Sequence, residues 1–135
     1  MKEFREHQIE TMPRINIRIT HSKKRLRKWC ESIGADYEPI EKKMETADAI
    51  ANSFINHDGR LLFIVWMHDT TDDSAAQDAA LLAHEAVHVA QAYFDYMGED
   101  KPGDEQYAYV VQHATHYLVQ EHFDWKQRQF DKKGC

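Results

Sequence analysis

Cysteine, proline and glycine are scarce in this chain: two Cys, three Pro and five Gly among 135 residues. Cys30 and Cys135 form no C-x-x-C pair, and two such thiols make neither a disulfide framework nor a zinc knuckle. Metal chemistry therefore has to come from His and carboxylates. No Pro/Ser-rich linker, internal repeat or low-complexity tract interrupts the sequence, which points to a single domain over residues 1–135. No apolar run approaches the roughly 20 residues needed to span a bilayer. The opening "MKEFREHQIE" has no apolar signal segment, so the expectation is a cytoplasmic protein with no membrane partner.

What is plentiful is charge and histidine. Charged residues make up 30% of the chain, with nine His and a net charge of −6. The balance is uneven. Residues 1–45 hold 11 Lys/Arg against 8 Asp/Glu, while residues 46–135 hold 6 against 15. The basic excess gathers in "HSKKRLRK", residues 21–28. No stacking aromatics are interleaved with those charges, so the run reads as the solvated face of a helix and a nucleic-acid partner is not expected.

Hydrophobic periodicity predicts an α+β domain. "RINIRIT" (14–20) alternates Ile15, Ile17 and Ile19 with polar residues, the period of a half-buried strand. Thr20 or Ser22 can cap a helix bearing Leu26, Trp29, Cys30 and Ile33 at helical spacing, and Gly34 suits its C-terminal end. Two strands near 47–56 and 60–68, joined through "HDG", form a hairpin. The second is apolar on both faces and should be covered on both. Asp72, Asp73 or Ser74 caps a long helix running to about Met97, closed by Gly98. A last helix starts near Asp104 or Glu105 and runs to about residue 130. The expected order is β-α-β-β-α-α, with a basic strand–helix part over 1–45 and a hairpin plus two long helices over 46–135.

The long helix carries "AHEAVHVAQ", residues 83–91. His84 and His88, four apart, place two imidazoles one turn apart on one face, able to take adjacent corners of a zinc tetrahedron. Glu85 lies about 100° round the helix from His84, beside the metal without being forced to ligate it. That is the position of a general base for a water on the metal, which is why H-E-x-x-H recurs in metallopeptidases. A catalytic zinc needs a third protein ligand. Gln91 and Phe94 exclude the H-x-x-G-x-x-H continuation. Glu105, at the first turn of the next helix, is the preferred donor. Glu99, Asp100 and Asp104 in the connecting loop, and His113 and His116 further along the helix, are alternatives. Tyr109, one turn beyond Glu105, is placed to donate to an oxyanion or to orient a ligand histidine, or else is an ordinary packed tyrosine.

His84-Glu85-x-x-His88 followed by a helix-borne Glu105 resembles the gluzincin branch of the zincin metallopeptidases. "AHEAVHVAQ … GEDKPGDEQYAYVVQH" is similar to small zincin-like proteins of bacteriophage and prophage genomes, with Glu105, Ala108 and Tyr109 at their E-x-x-AY positions. The resemblance covers roughly residues 45–120 and implies a minimal zincin-like fold. It further implies zinc held by His84, His88 and Glu105, and a hydrolase acting on protein or peptide through a zinc-activated water, with Glu85 as base. Substrate would pair with an edge strand, expected to be the 61–67 strand. Larger gluzincins place an acidic residue shortly after the ligand glutamate; Tyr109 occupies that turn here. The alternative implied by the same resemblance is a non-catalytic phage assembly or host-interaction protein that keeps the fold with a structural or vestigial zinc site. In either case a phage-encoded protein would work in the cytoplasm of its bacterial host.

Overall fold

The computed structural model describes residues 6–9, 15–56, 58–69 and 74–134. Its elements are β1 (Glu6–Ile9), β2 (Ile15–Thr20), α1 (Lys23–Ile33), α2 (Glu38–Met44), β3 (Ala49–Ile55), β4 (Leu61–Met67), α3 (Ala75–Tyr96) and α4 (Asp104–Gly134). The α+β class is as expected. Two elements are additional to the sequence-based order, β1 and the short helix α2.

The four strands form one mixed sheet in the order β1-β2-β4-β3, with β2 parallel to β4 and the other two pairs antiparallel. Alternation along the strands separates two cores. Ile15, Ile17, Phe63 and Val65 point to one face and pack with Leu82, Ala86 and Val89 of α3 and Val110, Ala114 and Leu118 of α4. Ile50, Ile64 and Trp66 point to the other and pack with Leu26 and Cys30 of α1 and Ile40 and Met44 of α2. Both cores join residues from before and after position 46. All seven residues of β4 are buried, as its apolar run demands, because helices cover both of its faces.

The position of β4 overturns one expectation. Both its edges are occupied, by β2 and by β3, so the 61–67 strand cannot accept a further strand. Its run apolar on both faces is the mark of a central strand, not an edge. The edge beside α3 belongs to β3.

Local signals set the element ends. The Ser22 hydroxyl accepts the Arg25 N–H at the start of α1, and Gly34 ends that helix with φ of 73°. Ser74 caps α3 in a reciprocal capping box with Gln77; Asp72 and Asp73, the other candidate caps, lie outside the described residues. Helices α3 and α4 then run antiparallel. Phe94 stacks on Tyr107, and Asp78 bonds to His122, which fixes their register.

Candidate metal centre

Helix α3 buries Leu82, Ala86, Val89, Ala90 and Tyr93 and leaves His84 and His88 exposed on roughly the opposite side. Glu85 differs from both: it is only 4% exposed. Its carboxylate turns to the edge strand and accepts the backbone N–H of Ala51 in β3. Burial raises the proton affinity of Glu85, while His88, His84 and the Ala51 N–H act against that rise.

The two imidazoles approach through their Nε2 atoms, 3.2 Å apart. Zn–N bonds of about 2.0–2.1 Å at tetrahedral angles separate neighbouring nitrogens by roughly 3.3 Å. The spacing thus fits two nitrogens that share one ion. His88 Nδ1 lies 3.2 Å from Gln91 Oε1. The amide oxygen can only accept, so Nδ1 carries the proton and Nε2 keeps its lone pair towards His84. One ligand atom from each of His84, Glu85 and His88 lies within 4.8 Å of the others, a group that could hold a metal ion. The donor set, two imidazole nitrogens and a carboxylate, suits zinc among other divalent metals.

Among the described residues no other such group forms, and Glu105 does not join this one. It is exposed in the first turn of α4. The Phe94–Tyr107 and Asp78–His122 contacts put Glu105 level with the end of α3 near Asp95. At 1.5 Å per residue that is about 10 Å along the axis beyond His88. His113 and His116 lie nearer the level of the histidine pair, half-buried and exposed respectively. Tyr109 is 48% exposed and its ring tilts over His113 at 4.2 Å. Glu99, Asp100 and Asp104 are exposed around the α3–α4 connection.

Sequence reasoning missed three contributors. Gln91 was legible, since it follows His88 by three residues on the same face. The Ala51 N–H and the identity of the edge strand were not, because both depend on strand order. The third is a buried polar chain running from Asp78 through His122 to His21, whose members are far apart in sequence.

No protein-family model matches the chain, and neither the curated proteins nor the solved structures contain a match to it. No helix among the described residues is long and apolar enough to cross a membrane.

Proposed function

We propose that this chain is a zinc-dependent hydrolase acting on peptide bonds, with zinc held by His84 and His88 and Glu85 serving as general base. The observation that carries this reading is the arrangement on α3. Two imidazole nitrogens lie at the spacing of shared ligands, with a buried carboxylate beside them. Bound zinc supplies Lewis acidity, lowering the pKa of a water and polarising a carbonyl. Glu85 takes up a proton on its carboxylate and returns it to the leaving amine. Its burial suits it to that exchange, and the Ala51 N–H holds the carboxylate in one orientation.

The gluzincin resemblance assigns the third ligand to Glu105 and an orienting or oxyanion role to Tyr109. The edge of β3 that pairs with no described strand lies next to Glu85 and offers an extended peptide a strand to pair with. A second reading draws on the distance of Glu105 from the histidine pair. On that reading the protein keeps a structural or vestigial zinc site and serves as a phage assembly or host-interaction protein.

The test is zinc content with cleavage of an unfolded protein substrate, in the wild type and in His84→Ala, His88→Ala, Glu85→Gln and Glu105→Ala. The expected result is about one zinc per chain in the wild type and in Glu85→Gln, weaker binding in the other three, and cleavage abolished by Glu85→Gln. Zinc without cleavage supports the second reading. A wild type that takes up no zinc refutes both.

A further inference from the structure

A second site lies where the parallel strands β2 and β4 end. It is a pocket of about 830 Å³, within the range of small-molecule sites. Its walls are the ends of those strands, the first turn of α1 and the C-terminal half of α4. None of His84, Glu85 and His88 lines it. Four cationic side chains, Lys23, Arg25, Arg128 and Lys132, face two acidic ones, Asp69 and Glu121. In a chain whose net charge is −6, that local excess runs against the whole.

One buried polar atom on the pocket's lining residues has no partner among the described residues. Trp66 is 1% exposed, and its buried Nε1–H meets no acceptor among the described residues. A polar chain runs behind the pocket. Asp78 Oδ2 lies 2.8 Å from His122 Nε2 and 2.8 Å from Lys126 Nζ. His122 Nδ1 lies 2.9 Å from His21 Nε2. His21 lies flat on Trp125 at 3.7 Å.

The protons in this chain have one consistent arrangement. Burial favours the protonated form of Asp78, but the hydrogen bonds from Lys126 and His122 outweigh it and hold the carboxyl below its ordinary range. Burial also lowers the proton affinity of His122 and of His21. A charged Asp78 accepts the His122 Nε2–H, so neutral His122 accepts at Nδ1 from the His21 Nε2–H. His21 then carries a lone pair on Nδ1.

We propose that this pocket binds a phosphorylated small molecule of about mononucleotide size, with its phosphate against the Lys23, Arg25, Arg128 and Lys132 cluster. Guanidinium forks and ammonium groups match phosphate oxygens, and the N-terminal turn of α1 adds oriented N–H dipoles. A phosphate ester of a polyol or nucleoside carries groups that suit both atoms. An oxygen accepts from Trp66 Nε1–H, and a hydroxyl donates to His21 Nδ1. The mouth beyond the carboxyl ends of parallel strands is also where open α/β sheets take their ligands.

The experiment is a titration of the full chain, followed by the Trp66 indole N–H resonance, assigned with Trp66→Phe. The probes are inorganic phosphate, ribose 5-phosphate and AMP, with chloride at matched ionic strength as control. Each titration is run with and without zinc. The expected result is a saturable shift of that resonance with the phosphate esters and not with chloride. Affinity should fall about tenfold or more in Arg128→Ala and in Lys132→Ala, as for the loss of a charge-assisted hydrogen bond. Both are exposed positions whose truncation leaves the cores intact. No shift at millimolar ester, an equal shift with chloride, or affinity unchanged in both variants overturns the proposal. A response that appears only with zinc also overturns it, because it places the phosphate on the metal centre.

Discussion

His21 makes the chain's stability depend on pH between neutrality and about 3, and the size of the effect follows from the structure. Burial pulls its imidazole down from the 6.5 of a free histidine to about 3, with His122 and Arg128 adding repulsion and Asp78 opposing. In the unfolded chain the ring protonates near 6.5; in the folded chain it stays neutral until far lower pH. The unfolded state therefore binds more protons across that window, and stability falls as the solution is acidified. At 1.36 kcal/mol per pH unit, the loss credited to His21 is about 2 kcal/mol between pH 7 and 5. It reaches at most about 4–5 kcal/mol by pH 3. Asp78 acts in the same direction lower down, since its depressed pKa gives stability that is present above the ordinary carboxylate range and lost below it. The assay is urea unfolding at pH 7 and 5 with a chelator present, comparing wild type with His21→Gln, whose amide can still donate to His122. The variant should lose about 2 kcal/mol less than the wild type over that interval. Equal losses would refute the claim that His21 is held neutral.

Other outcomes follow from the same contacts. Asp78→Asn removes the charge that pairs with half-buried Lys126 and weakens the acceptor of the neutral His122 Nε2–H, and should cost about 3 kcal/mol in thermal or urea unfolding; a change below about 0.5 kcal/mol would show that these bonds contribute little to stability. Gln91→Ala frees the His88 Nδ1–H and should weaken zinc binding about tenfold in a competitive chelator titration, with the fold unchanged. Phe63→Ala, in a central strand 1% exposed, should cost about 3–5 kcal/mol in equilibrium unfolding.

Much of this fold is written locally. The Ile15–Ile17–Ile19 alternation, the apolar run of β4, the Ser22 and Ser74 caps and the positive-φ Gly34 and Gly98 each act through near neighbours and lie where sequence places them. Helix α2 carries a local signal as well, Pro39 in its first turn with Ile40 and Met44 four apart on its buried face. What could not be read is pairing at a distance. That β2 docks parallel to β4, and so leaves β3 as the edge beside α3, depends on a crossover no window of sequence contains. The same holds for Asp78 and His122, 44 residues apart, which look like ordinary polar positions until two helices meet. At the candidate metal centre the pattern His84-Glu85-x-x-His88 is complete in five residues, whereas a third ligand from α4 would depend on tertiary register.

That register ties the two sites together through α4. Sliding α4 far enough to bring Glu105 level with His88 would carry it about 10 Å along α3. Such a slide would break the Asp78–His122–Lys126 bonds and unstack Phe94 from Tyr107. It would also drag Val110, Ala114 and Leu118 out of a core where they are almost fully buried. That cost excludes rigid sliding. Glu105 could approach the histidine pair only by rearrangement of the first turn of α4, which is exposed and preceded by Gly103, around which even an added Cβ would meet nothing within 4 Å. His116 is closer to the level of the pair along α4, but it is exposed and joins their group no more than Glu105 does. Zinc ligation by Glu105 therefore predicts a change confined to residues near 99–106, with the Asp78 chain and its pH dependence untouched. Ligation from the middle of α4 would leave that turn as it is. Zinc content of Glu105→Ala beside His116→Ala separates the two, because only the true ligand weakens the metal when removed.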